Sequence, residues 1–496
     1  MSPSSPEALY HAIPQAPVAA NPIVPPSEIE LDNEGRELDD ELGATYDAPS
    51  SLVVEARIRW IHFILGCAIL LPWNVMITAT PYFLSRLEGS QYKSTFNSYL
   101  STSFTAANFA FLAHATATSK QTIPSLRIRH STLVLVGMNL LLTLSTYFTL
   151  TPGLFMSITL LNGMVQAAAG SYLQTAVIQI ASLFGPTAVQ AMMTGQGAVG
   201  VAVSGVQVIT AIVSVWGLSP QSITAYVSDG SAEERSAFIF FSLSTLFLVA
   251  SLGAQAWLVS MPAYKAIAAP LELHKTAGDV PHSLRHEVQG LVSRGPHDVV
   301  VSEKHNILRV ARVNIIYEIA VAYVFVVTLS VFPPITASVK ATNPATHPLL
   351  FSAVHFLVFS IGDLAGRYFC SFRWFLIWSA RKLMALSATR TLFIPLFLMC
   401  NVQRSSTSTP QLPIISSDFL FMFILLVFGF TNGHVSSLCM MSAPSLDHNP
   451  RLKGRREDVD IAATVASFCL IGGLAIGSVC SFAVRAAVCG CNPFVG

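Results

Sequence analysis

The sequence predicts an all-α, polytopic membrane protein of eleven transmembrane helices, grouped as six and then five. Three observations predict it. The chain has 496 residues, of which 52% are hydrophobic and only 11% charged, whereas a soluble domain carries about 25% charged residues. The apolar residues form long continuous runs, so helices rather than the short alternating strands of a barrel satisfy the backbone in lipid. The basic residues alternate from loop to loop, as the positive-inside rule requires. A net charge of +1 gives no nucleic-acid-binding surface.

Residues 1–55 are proline-rich and continue into an acidic stretch from Glu28 to Glu41. That composition cannot build a core and predicts a disordered cytosolic tail. It lacks the basic start and apolar core of a signal peptide. Eleven spans follow, at about 58–84, 97–118, 131–150, 153–183, 186–216, 236–260, 310–335, 349–371, 383–402, 417–442 and 461–486. Each is near the ~20 residues a bilayer needs. Spans four and five are joined only by Phe184, Gly185 and Pro186, which forces a helical hairpin. The polar segment 261–309 is the one long loop. The expected domains are therefore the tail 1–55, a six-helix bundle 56–260, a cytosolic loop 261–309 and a five-helix bundle 310–496.

Orientation follows from the basic residues. With the N-terminus cytosolic, the cytosolic connections hold Arg57 and Arg59; Lys120, Arg127 and Arg129; Lys265, Lys275, Arg285, Arg294, Lys304 and Arg309; Arg373, Arg381 and Lys382; and Arg451, Lys453, Arg455 and Arg456. The opposite side holds Arg86, Lys93, Arg235, Lys340, Arg404 and Arg485, scattered singly. One missed or invented span inverts half of this pattern.

An ion inside a membrane costs about 2.5–3.5 kcal/mol at a helix centre and marks a functional site by default. Asp363 and Arg367 in span eight are four residues apart, so they share a helix face. Gly362 and Gly366 beside them let a helix or a ligand come close. Two readings follow: a self-neutralising pair that joins helices, or a pair facing a wet cavity. A carboxylate that accepts and a guanidinium that donates match a vicinal diol such as a ribose. Arg390 in span nine has no acid three or four residues away, which favours a structural partner such as a carbonyl over a cavity-lining role. Glu318 lies near the cytosolic end of span seven, where it can reach the interface.

Span one carries Pro72, Trp73 and Asn74. Proline breaks the backbone ladder, and the neighbours offer an aromatic plate and an amide. Tryptophan commonly anchors an interface, but Trp73 sits mid-run. Gln174, Gln179, Gln190 and Gln196 are amides within apolar stretches; they bond other helices or read a nucleobase edge.

Enzymatic readings fail for want of motifs. The sequence has no glycine-rich phosphate loop, no H-E-x-x-H and no G-x-S-x-G on a strand. No cofactor, metal or catalytic residue is expected. Most cysteines fall in apolar runs, where packing thiols are the simple reading. Cys489 and Cys491 have no histidine cluster with which to bind a metal.

A set of islands then resembles the equilibrative nucleoside transporter family. They are Leu71-Pro-Trp-Asn74 with Thr78-Ala-Thr-Pro-Tyr-Phe83; Phe96-Asn97; Thr194-Gly-Gln-Gly197; Val331-Phe-Pro-Pro-Ile-Thr336; Gly362-Asp363 with Gly366-Arg367; Arg390-Thr-Leu-Phe-Ile-Pro-Leu-Phe397 with Cys400-Asn401; Thr431-Asn-Gly433 with Ser437-Leu-Cys-Met440 and Ala443-Pro444; and Gly472-Gly-Leu474 with Gly477-Ser478. Single islands are weak, but eight in order on an eleven-span frame are specific. The resemblance implies a major-facilitator-like bundle, alternating access about a central site, and nucleosides such as adenosine and uridine as substrates, with protons as an open co-substrate. It places nucleoside contacts on Trp73, Gln174, Asp363 and Arg367, with Asn74, Ser360, Arg390 and His434 as accessory positions. Two departures stand out. Ser360 replaces the family's usual asparagine, which loosens the ribose pocket, and His434 replaces a common aromatic. A histidine titrates near neutral pH, so pH-dependent transport is one expectation and a neutral, hydrogen-bonded imidazole the other. Competing readings are a sugar or nucleobase carrier and a receptor that lost transport. The plasma membrane and a vacuolar or lysosome-like membrane both fit.

Overall fold

The computed structural model describes residues 56–93, 96–148, 150–215, 231–272, 296–343, 346–402 and 413–489. The tail 1–55, residues 273–295 of the long loop, Arg404 and Cys491 lie outside them. The described residues form one compact unit.

Proline starts many of the helices. Pro124, Pro152, Pro186, Pro262, Pro296 and Pro348 are each the first residue of one. There the missing N–H costs nothing and the fixed φ favours the first turn. The order is α1 Ala56–Thr78, α2 Thr80–Arg86, α3 Phe96–Ala117, α4 Pro124–Ser145, α5 Pro152–Leu183, α6 Pro186–Val215, α7 Ser231–Ser260 and α8 Pro262–Ile267. Then come α9 Pro296–Val331, α10 Pro348–Phe369, α11 Ala380–Thr389, α12 Phe393–Leu398, α13 Asp418–Ser442 and α14 Val459–Cys489. Among the described residues there is no strand, only an isolated bridge between Val339 and Val402.

Nine helices among the described residues are long and apolar enough to cross a membrane. The sequence expects eleven spans, and the two others behave differently. Span two is one continuous helix, α3, that includes several polar residues. Span nine is interrupted: α11 ends at Thr389, a 3-10 turn runs Arg390–Leu392, and α12 resumes at Phe393. Arg390 and Pro395 explain the break. The arginine is drawn sideways to partners on other helices, and a proline cannot donate within the next turn.

Glycine sets the closest packing. A Cβ on Gly366 would lie 2.0 Å from the Phe430 oxygen, and one on Gly433 would lie 1.9 Å from the Asp363 oxygen. So α10 and α13 touch backbone to backbone at the charged pair. The small residues beside Asp363 admit a helix there, the first of the two expected uses.

Burial is uneven along the bundle. Residues 173–182 of α5, 188–197 of α6, 432–442 of α13 and 459–467 of α14 are buried without interruption, whereas the far halves of these helices alternate with exposed positions. The sealed end is where Lys120 donates to Asp460 Oδ1 at 2.7 Å and to the Glu457 oxygen at 2.8 Å. A cavity of about 20 Å³ remains there, lined by Gln179, Glu272 and Asp460, which is room for one water. Beside it Tyr264 donates to Glu272 at 2.9 Å. Burial first, and then that carboxylate, push the phenol well above its usual range.

Candidate functional site

Asp363 and Arg367 form the centre. The Arg367 Nε donates to Asp363 Oδ2 at 2.7 Å, and both side chains are buried. The i,i+4 helical spacing brings them together, as the sequence predicts. Arg367 Nη1 also donates to the Met193 oxygen on α6 at 3.1 Å. Gln190 on α6 donates to the Arg367 backbone oxygen at 3.1 Å. Gly197 makes room, because a Cβ there would lie 2.9 Å from Arg367 Cδ. The pair thus joins α10 to α6 as well as to α13.

Asp363 has a second partner that sequence reasoning missed as a site residue. Asn432 on α13 donates to Asp363 Oδ1 at 2.6 Å. The Asn432 oxygen accepts from Thr328 on α9 at 2.7 Å. Thr328 in turn accepts from Arg390 Nη2 at 2.8 Å. One continuous network therefore runs Arg367, Asp363, Asn432, Thr328, Arg390. An asparagine both donates and accepts, so it can link an acid to a hydroxyl without a charge of its own. An amide inside an apolar run was the available signal.

Arg390 is 1% exposed and is the largest fully buried side chain among the described residues. Its Nη1 donates to the Phe428 oxygen at 3.1 Å and to the Thr431 hydroxyl, and its guanidinium lies 4.6 Å from the Phe428 ring centre. The preference for a carbonyl partner agrees with this geometry. Glu318 does not reach an interface: it is 3% exposed. The reason is α14, which packs along α9 so closely that Gly473 sits against the Ala322 backbone.

The other expected positions lie in separate environments. Trp73 is half-buried on α1 and packs on Phe104 of α3, ring centres 4.2 Å apart, with Ala167 of α5 in the same cluster. Asn74 donates to the Leu70 oxygen of its own helix at 2.8 Å. Gln174 on α5 donates to Ser467 on α14 at 2.9 Å. Ser360 donates to the Phe356 oxygen at 2.9 Å, within its own helix. The His434 ring packs on Phe430, and its Nδ1 lies 3.4 Å from the Gly366 oxygen and 3.4 Å from Cys370 Sγ. The described residues bring Asp363, Arg367 and Arg390 into one network and leave Trp73 and Gln174 on other helices.

Chemically, the centre is not saturated. Asp363 Oδ1 accepts from Asn432 and, at 3.5 Å, from Arg367 Nη2, whereas Oδ2 accepts from Arg367 Nε and keeps a lone pair. Of the guanidinium's five donors, three are engaged by Asp363 and Met193. The pair can still accept from and donate to a polyhydroxylated ligand.

The fold is that of the major facilitator transporters. It is similar to FucP in the outward conformation, with 13% identity, coverage of 89% of this chain and 94% of that one, and a TM-score of 0.50. It is also similar to the proton:xylose symporter XylE, with 10% identity, coverage of 88% and 91%, and a TM-score of 0.50. Residues 155–486, more than half of the chain, match the nucleoside transporter family. The chain belongs to that family. Among curated relatives it is 26% identical to equilibrative nucleoside transporter 1 of Rattus norvegicus and 27% identical to equilibrative nucleoside transporter 2 of Homo sapiens, each alignment covering 86% of this chain and 96% of the relative. Its function is accordingly transport of nucleosides across a membrane.

Proposed function

We propose that the chain carries nucleosides such as adenosine and uridine by alternating access, with the ribose held by Asp363 and Arg367. The observation that carries this reading is the buried ion pair with hydrogen-bonding capacity to spare. A buried pair stabilises a fold poorly by itself, because desolvation offsets the attraction. A ribose diol supplies the acceptor and donors that the pair lacks. The Asn432–Thr328–Arg390 arm fixes the carboxylate from behind.

Trp73 and Phe104 form an aromatic wall for the base. Gln174, held by Ser467, offers its carbonyl oxygen to a base edge. Asn74, Ser360, Arg390 and His434 are accessory. The frame is eleven spans in a 6+5 arrangement: a tail 1–55, bundles 56–260 and 310–496, and the loop 261–309 between them. The basic loops support a cytosolic N-terminus and a cytosolic Lys120 end, with substrate entering from the opposite face. The plasma membrane and a vacuolar or lysosome-like membrane both suit this frame.

The test is uptake of radiolabelled adenosine and uridine into liposomes holding the full chain, beside Asp363→Ala. Saturable uptake that the variant loses supports the reading. Uptake that survives Asp363→Ala removes the carboxylate from the site. Inhibition by free base as strong as by the nucleoside would remove the ribose from recognition, since a site built to bond a hydroxyl rejects ligands without it by orders of magnitude.

A further inference from the structure

Glu318 has no role in the network above, yet it is the more costly charge. It is 3% exposed, and its Oε1 has no hydrogen-bond partner. No ion pair reaches it among the described residues. On α14, Cys469 faces it, one turn before the glycine that seats α14 on Ala322. The charged and titratable groups of the other elements packed on α9 are engaged elsewhere or exposed. Arg309 pairs with Asp458, and Asp460 with Lys120. Arg451 lies over the Tyr317 ring and bonds the Val313 oxygen. Cys439 of α13 faces Tyr317, and His434 bonds Gly366. Arg312, Arg381 and Lys382 are exposed, and Arg390 is held at Thr328, ten residues further along α9.

Position adds a second argument. Cys469 follows Phe468, which stacks on Phe109 of α3, and Ser467, which accepts from Gln174 of α5. Glu318 therefore lies one layer behind the seam between α14 and the first helices. That seam must part when the sealed end opens.

We propose that Glu318 is a proton-binding site coupled to nucleoside transport. An ionised carboxylate without a partner in an apolar interior is far more costly than the neutral acid, so the packing seen here holds the protonated form. Parting the seam hydrates the carboxyl, and the O–H bond breaks to leave a carboxylate and a proton passed to water at that end. Resealing restores the O–H bond, since the apolar packing excludes the carboxylate, and symport requires that this proton come from water of the opposite face. One proton then enters with each nucleoside. The inference rests on the transport reading above.

The experiment uses the full chain in liposomes loaded with a pH-sensitive dye. It records uridine counterflow, which needs no net proton movement, and uridine-driven acidification of the lumen. For the wild type, both are expected. Glu318→Gln, a neutral isostere, should keep counterflow within about twofold and lose acidification by about tenfold or more. Glu318→Asp, which keeps an acid but displaces it, should move the external-pH midpoint of uptake by about half a unit or more. Wild-type counterflow without acidification overturns the proton site and leaves transport standing. Acidification that survives Glu318→Gln, or that His434→Gln abolishes instead, overturns the assignment to Glu318, as does an unmoved midpoint in Glu318→Asp. Absence of wild-type counterflow overturns the transport reading itself.

Discussion

Asn432 is the hinge of the polar network, because it bonds both Asp363 and Thr328. Asn432→Ala removes a donor from the carboxylate and an acceptor from the hydroxyl. Leaving buried groups unpaired costs about 1–3 kcal/mol, so uridine uptake is expected to fall about tenfold at equal amounts of reconstituted protein. Unchanged uptake would make the asparagine a bystander. Arg390→Met acts on a different quantity. It deletes three bonds from a side chain that reaches Asp363 only through Thr328 and Asn432, and truncating a buried charged partner costs about 3–5 kcal/mol. Its signature is a lower melting temperature in detergent, with the preference between adenosine and uridine unmoved. The sequence made the two charges of α10 legible, because ions in an apolar run have few bland explanations. It did not reveal Asn432, Thr328 or Met193 as partners. An amide or hydroxyl in a membrane helix is common, and a backbone acceptor such as the Met193 oxygen has no residue signature. Glu318 was misplaced because its distance from the loop was legible and the helix covering it was not.

The glycines of α14 separate helix propensity from packing at neighbouring positions. A Cβ on Gly472 meets nothing within 4 Å, whereas one on Gly473 would lie 2.2 Å from the Ala322 oxygen. Gly472→Ala should leave the melting temperature unchanged or raise it, since alanine favours a helix by about 1 kcal/mol over glycine. Gly473→Ala must push α14 off α9, an overpacking that costs about 1–3 kcal/mol. Thermal unfolding followed by tryptophan fluorescence compares the two; equal melting temperatures would refute the backbone contact. The existence of the helices was readable from apolar runs, and many of their starts from proline. Their interruptions were less readable. The ninth run, 383–402, satisfies a length criterion, yet the structure breaks it at Arg390, where bonds to Phe428, Thr431 and Thr328 outweigh continuity of the helix.

At the scale of the molecule, the described polar links across the sealed end are those of Arg367 and Gln190 between α10 and α6 and those that reach α14. Lys120, between α3 and α4, reaches Asp460 and the Glu457 oxygen at the start of α14, and further in Gln174 bonds Ser467. The lysine and aspartate side chains are 24% and 12% exposed, so solvent screens the pair and its worth is at most about 1 kcal/mol. That is small for stability but large for a conformational balance, where 1 kcal/mol shifts two states by about fivefold. Carriers need such latches weak, since a strong one would trap the bundle in one state. Lys120→Asp places two acids together and should favour the form open at this end. Asp460→Lys should do the same with two cations, and the double exchange should restore the balance. The readout is how fast a membrane-impermeant thiol reagent labels a cysteine introduced at Gln179, which lines the cavity beside the latch. Each single exchange is expected to speed labelling about threefold to tenfold, and the double exchange to return it near the rate with both native charges. If the double exchange labels as fast as the singles, the pair does not hold the end shut, and the continuous close packing of α5, α6, α13 and α14 closes it alone.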